Sequence, residues 1–138
     1  MKDKAIFIDS NIWLYAFIES GETNKRSLAL SIIQKSGIIL SAQVINEVSI
    51  NLIKKANFSE DCISKLVVDF YQKYTVLDIN QEVLKNASLL RKKYNLSFWD
   101  SQIVSCALLS NTTHLYSEDM QNGLVLNETL TIINPFKA

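Results

Sequence analysis

The 138-residue chain is 48% hydrophobic and 20% charged, with three Gly and one Pro. That composition excludes a disordered or linker-rich polypeptide and fits one domain with a sizeable core. Fourteen basic side chains balance fourteen acidic ones, so no global field attracts a polyanion, and binding to nucleic acid would need a local basic patch.

In chain order, residues 5–8 (Ala-Ile-Phe-Ile) read as a buried strand stopped by Asp9-Ser10-Asn11. A short apolar helix is expected over 12–18. A turn at 21–24 leads to a helix over 25–36, capped by Thr23 or Asn24 and stopped by Gly37. Residues 38–40 read as a second buried strand. Ser41 then caps a helix reaching about residue 57, and Ser59 caps the next, which ends near Tyr74. Glu60 and Asp61 sit in that helix's first turn, where the helix dipole favours negative charge. A third strand is expected over 75–79, with Asp78 inside it. Asn80 caps a helix with the stripe Val83, Leu84, Ala87 and Leu90, closed by Arg91-Lys92-Lys93. Ser97 caps a last helix. A fourth strand is expected over 114–117 and a fifth over 131–133. Strands alternating with helices imply a three-layer α/β/α domain spanning residues 1–138, with a mostly parallel sheet of about five strands covered on both faces.

Cys62 and Cys106 lie in apolar helical contexts and read as reduced thiols. Neither has a Cys or His at zinc spacing, and His114 is the one histidine. Lys2 and Lys4 precede four apolar residues, short of the roughly 7–15 of a secretory signal. Residues 12–18 fall short of the about 20 that span a bilayer. A cytoplasmic protein with no membrane association is expected.

The chemistry is expected from four acids. Asp9 ends the first strand and Asp119 follows the fourth; Glu47 and Asp100 lie near the starts of helices. In an open parallel sheet such positions face one edge, beyond the carboxyl ends of the strands. Each acid also has an ordinary reading. Asp9 would suit a turn or cap, Glu47 a solvated helix face, and Asp100 a capping box with Ser97. Glu118 and Asp119 would suit a turn closing on Gly123. Gathered at one edge, however, carboxylates repel, and a hard divalent cation is the usual counterweight. Asn11 is placed to support the site or the turn. His114 stands alone on a strand and reads as structural. Candidate phosphate contacts are Lys25, Arg26, Lys54, Lys55, Arg91, Lys92 and Lys93, each of which also suits a solvated helix surface.

Four segments, Phe7-Ile8-Asp9-Ser10-Asn11-Ile12-Trp13-Leu14-Tyr15-Ala16, Leu40-Ser41-Ala42-Gln43-Val44-Ile45-Asn46-Glu47-Val48, Leu96-Ser97-Phe98-Trp99-Asp100-Ser101-Gln102-Ile103-Val104 and Leu115-Tyr116-Ser117-Glu118-Asp119-Met120-Gln121-Asn122-Gly123, together with Ile133-Asn134-Pro135-Phe136, carry a resemblance. The chain resembles the PIN-domain family and, within it, the VapC-type ribonuclease toxins of bacterial toxin–antitoxin pairs. The resemblance implies an endoribonuclease dependent on Mg²⁺ or Mn²⁺. By position, Asp9, Glu47, Asp100 and Asp119 match the family's catalytic and metal-binding acidic quartet, and Asn11 and Ser117 match polar positions that support it. Glu118 places a further carboxylate beside Asp119. The resemblance also implies an RNA substrate, products with a 5′-phosphate and a 3′-hydroxyl, a homodimer and a small antitoxin partner.

Three other readings compete. A haloacid-dehalogenase-type phosphatase also places Asp after the first strand, but wants a second acid where this chain has Asn11. A receiver domain wants an acceptor Asp after the third strand. A non-catalytic partner-binding module would keep the fold and use its helices, for instance the face bearing Phe58, Leu66, Val67 and Phe70, as a contact surface.

Overall fold

The computed structural model describes residues 5–19 and 21–137. Among them the elements run β1 (Ile6–Ile8), α1 (Ser10–Phe17), α2 (Thr23–Ile33), β2 (Ile38–Ser41), α3 (Ala42–Ala56), α4 (Glu60–Lys73), β3 (Thr75–Leu77), α5 (Gln81–Lys93), α6 (Phe98–Leu109), β4 (His114–Tyr116), β5 (Val125–Leu126) and β6 (Leu130–Ile133). The strands form one sheet in the order β3-β2-β1-β4-β6-β5. All neighbours are parallel except β5 and β6. Every residue of β1 and β2 is buried, as strands covered on both faces require. The helices pack in two groups, α1 to α4 and α5 with α6, completing an α/β/α arrangement.

Four expected caps are in place. Ser41, Ser59, Asn80 and Ser97 each accept from the backbone N–H three residues on, at 3.4, 3.2, 3.0 and 3.1 Å. Two helix starts differ. α1 begins at Ser10, because the Asp9 side chain takes the Ser10 N–H and serves as its cap. α2 begins at Thr23, so Thr23 and Asn24 lie inside the helix, which ends at Ile33. Gly37 acts four residues beyond that end. Its φ of 76° turns the chain into β2, and its carbonyl accepts from Ile6 N–H at 3.0 Å.

The sheet has six strands rather than five. β5 is only two residues long and forms a hairpin with β6 through Asn127 and Glu128, both at positive φ (48° and 63°). Such a turn usually carries glycine, and Asn-Glu gives no glycine signal. β3 ends at Leu77, leaving Asp78 just outside it.

Trp13 ties α1 to the end of β1. Its ring is fully buried, and its indole N–H donates to the Ile8 carbonyl at 3.1 Å. Phe17, Phe70 and Tyr74 pack around it with ring centroids 6.0, 5.0 and 5.0 Å away. Phe58, Leu66, Val67 and Phe70 thus belong to the core or pack against it. Asp9 sits between the anchored strand and the anchored helix. Cys62 and Cys106 are free thiols, and burial pushes Cys106 up to about 11. No helix among the described residues is long and apolar enough to cross a membrane.

Candidate active site

Asp9 is 4% exposed, at the carboxyl end of the central strand. Its own N–H continues the ladder to the Tyr116 carbonyl at 3.0 Å, which fixes the backbone. One carboxylate oxygen accepts from Ser10 N–H at 2.7 Å and the other from Ser117 Oγ at 2.8 Å. Burial pushes this carboxyl up to about 7. The Ser117 and Ser10 hydrogen bonds oppose the rise, and the charges of Glu47 and Asp100 add to it.

Glu47 lies on the second turn of α3 and is half-buried rather than solvated. Ser10 Oγ donates to its Oε2 at 2.8 Å and Gln43 Nε2 to its Oε1 at 3.1 Å. Asp100, on the first turn of α6, is also half-buried, and Ser97 caps its backbone N–H. Its pKa is raised by burial first. The Ser97 hydrogen bond opposes the rise, while Asp119 and Glu47 add to it. Asp119 is exposed, and its Oδ2 accepts from Asn11 Nδ2 at 3.1 Å. Asn11 Oδ1 in turn accepts from Glu118 N–H at 3.2 Å, so Asn11 clasps the loop after β4 to the start of α1.

The structure therefore brings Asp9, Glu47, Asp100 and Asp119 to one sheet edge, close enough for their charges to disfavour one another. Among the described residues, however, no three carboxylates converge into a ready-made metal cage as the side chains stand.

Glu118 faces elsewhere. Lys25 Nζ lies 2.6 Å from its Oε2, and Tyr15 donates to its Oε1 at 2.7 Å. Partial burial works against the charged form, but these two donors hold Glu118 below the usual carboxylate value. The Lys25 ammonium also sits 5.1 Å from the Tyr15 ring centroid and 5.6 Å from that of Phe136.

The other basic candidates are spread over the surface. Lys54 and Lys55 are exposed in the last turn of α3, and Lys55 lines a cleft of about 240 Å³ with Asn11, Leu14, Tyr15 and Ile18. Arg91 donates to Ser101 Oγ at 2.7 Å, Lys92 is exposed, and Lys93 donates to Asn127. Arg26 Nε is buried and has no hydrogen-bond partner among the described residues. His114 lies away from the acids, its Nδ1 3.1 Å from Thr113 Oγ1.

Sequence reasoning missed Ser10 and Gln43, the two donors that orient Glu47. A signal existed for Gln43, because residues four apart share a helix face. The Ser10 contact joins two elements and had no local signal.

The model of the PIN domain family matches residues 6–121. Among solved structures, a toxin–antitoxin complex from Klebsiella pneumoniae superposes with a TM-score of 0.69 at 18% identity, covering 97% of this chain and 99% of that one. FitAcB from Neisseria gonorrhoeae gives 0.66 at 12% identity, over 96% and 99%. VapC20 from Mycobacterium tuberculosis, described as a sarcin–ricin loop cleaving toxin, gives 0.64 at 16% identity, over 80% and 87%. A search of curated proteins gave no match. The phosphatase and receiver readings fall with this match, and the chain belongs to the PIN-domain family.

Proposed function

We propose that the chain is a metal-dependent endoribonuclease, the toxin of a toxin–antitoxin pair acting in the cytoplasm, with a small antitoxin as its partner and a homodimer as its working form. One observation carries the reading. Carboxylates from the end of β1, α3, α6 and the loop after β4 share an edge where burial, with smaller contributions from the charges of Glu47 and Asp100, lifts Asp9 to about 7. An arrangement this costly without a cation is well matched to one.

The donor set fits Mg²⁺ or Mn²⁺. All four groups are hard oxygens, and Mg²⁺ keeps several waters and takes only one or two direct carboxylates, so a closed cage is not required. Asp9, Asp100 and Asp119 would hold the ion, with Glu47 beside them. A bound divalent cation supplies a water of lowered pKa and offsets charge on the phosphodiester.

The protein's own groups do the rest. Asp9 would have to be deprotonated to hold the ion, and Ser10 N–H and Ser117 Oγ keep its oxygens aimed. Ser10 and Gln43 hold the Glu47 carboxylate oriented, so it can accept a proton from the attacking water. Asn11 positions Asp119. In-line attack by water leaves a 5′-phosphate and a 3′-hydroxyl.

End-group analysis of the cleaved RNA tests this. A 5′-phosphate formed only when divalent metal is present supports it; a 2′,3′-cyclic phosphate contradicts it. The loose spacing of the carboxylates favours a second reading, a PIN-domain partner-binding module without chemistry. That module would cut no RNA under any metal condition.

A further inference from the structure

Two large aromatic side chains stand in solvent beside the acidic edge. Trp99 is 60% exposed and Phe98 is 52% exposed, both on the first turn of α6. Their rings meet edge to face at 5.2 Å. Trp13, in contrast, is fully buried. The fold needs an indole in its core at Trp13, but its packing does not use the one at Trp99.

Trp99 is tied to the site through its backbone. Its carbonyl accepts from Gln43 Nε2 at 3.2 Å, and the same amide donates to Glu47 Oε1 at 3.1 Å. Trp99 also directly precedes Asp100. A shallow cleft of about 410 Å³ opens there, lined by Gln43, Asn46, Glu47, Ile50 and Trp99. On the other flank the Arg91 guanidinium lies over the Phe98 ring at 4.6 Å and is held by Ser101 Oγ.

The surroundings select the occupant. A protein partner seated on exposed aromatics would want a contiguous apolar surface. Here the apolar surface is confined to Ile50 and the two aromatic rings, and it is bordered by the Gln43 and Asn46 amides, the Glu47 carboxylate and the fixed Arg91 cation. An aromatic face with a neighbouring guanidinium suits a nucleobase and its phosphate. The base must be unpaired and unstacked, because in a duplex both its faces are covered by neighbouring bases.

We propose that Trp99 is a base-stacking platform for the RNA substrate. An unpaired nucleobase beside the cleaved bond lies on the indole, with the Asn46 amide at its polar edge and Arg91 at a neighbouring phosphate. The proposal rests on the nuclease reading for the identity of that bond; the stacking itself needs no chemistry.

Binding is measured in the Asp100→Asn background with Mg²⁺, so that the RNA stays intact. The probes are a mixed-sequence single-stranded oligoribonucleotide and a duplex of the same sequence. Trp99 is the solvent-exposed one of the two tryptophans, so stacking on it is expected to quench the exposed component of emission, and only with the single strand. Adding Trp99→Ala is expected to weaken single-strand binding about 5- to 150-fold, the span that stacking one base gives. Trp99→Phe is expected to retain most of the affinity. Unquenched emission, or equal affinity in Trp99→Ala, overturns the proposal. So does a Trp99→Ala protein that changes oligomeric mass in light scattering while its RNA affinity is unchanged, since the ring would then be a protein contact. Wild type that cuts no RNA but is still quenched by the single strand would sink the nuclease reading and leave the platform standing.

Discussion

Ser10 Oγ donates to Glu47 Oε2 at 2.8 Å across 37 residues of sequence, joining the start of α1 to the second turn of α3. Hydrogen bonds to a charged group contribute about 1.5–3 kcal/mol. Ser10→Ala frees one oxygen of Glu47 and lets the carboxylate swing. The expected result is a fall in kcat/KM on RNA of about 10- to 150-fold, together with a fall in Tm of several degrees that leaves the protein folded at the assay temperature. Both quantities follow from steady-state cleavage assays and a thermal melt of the same preparation.

Asp9 sets a pH dependence of stability. The unfolded chain releases this proton near 3.8, whereas the folded chain keeps it to about 7. Between those values folding takes up a proton, so stability falls as pH rises. The penalty is absent below about pH 4 and complete above about pH 7, where a shift of about three units corresponds to roughly 4 kcal/mol. In Asp9→Asn the amide can still accept from Ser10 N–H and donate to Ser117 Oγ. Its Tm is expected to exceed that of wild type at pH 8 in chelator, with the gap closing by pH 4. A gap that does not vary with pH would contradict the assignment.

Divalent cation should reverse that penalty. At 100 times its Kd a ligand specific to the folded state adds about 2.7 kcal/mol. Mg²⁺ or Mn²⁺ is expected to raise the wild-type Tm at pH 8 and to do so less at pH 5.5, where Asp9 holds its proton against the metal. Asp9→Asn is expected to lose most of the response. Scanning calorimetry with and without metal at the two pH values checks this.

Glu118 and Asp119 are adjacent but differently employed. Glu118 is committed to Lys25 and Tyr15, and Asp119 is oriented by Asn11. The Lys25–Glu118 pair is partly exposed, so breaking it is expected to cost no more than about 1 kcal/mol. Glu118→Gln should therefore lower Tm by no more than about 5 °C and keep cleavage close to wild type. Asp119→Asn should lose activity on the order of 100-fold with its fold intact. The reverse pattern would make Glu118 the acid that acts.

Much of this was legible in the sequence because it is written locally. Ser41, Ser59, Asn80 and Ser97 announce their helices through side-chain chemistry three residues deep. The apolar run ending at Asp9 marks a strand buried on both faces. The β5–β6 hairpin was not legible, since its turn puts Asn127 and Glu128 at positive φ without a glycine. The acids themselves could be picked out, but their wiring could not. The Ser10–Glu47, Asn11–Asp119 and Tyr15–Glu118 contacts all join segments that only the strand order brings together. The basic candidates show the same limit. Composition offered seven equivalent cations, and packing commits Lys25 to a carboxylate and Arg91 to an aromatic ring and a hydroxyl.

The most direct test is cleavage of end-labelled cellular RNA by wild type and by Asp100→Asn, each with Mg²⁺ or with chelator. Discrete cuts by wild type that vanish both in chelator and in Asp100→Asn are the predicted result. Cuts that persist in Asp100→Asn, or no cuts by folded wild type supplied with metal, would contradict a nuclease built on this acidic edge.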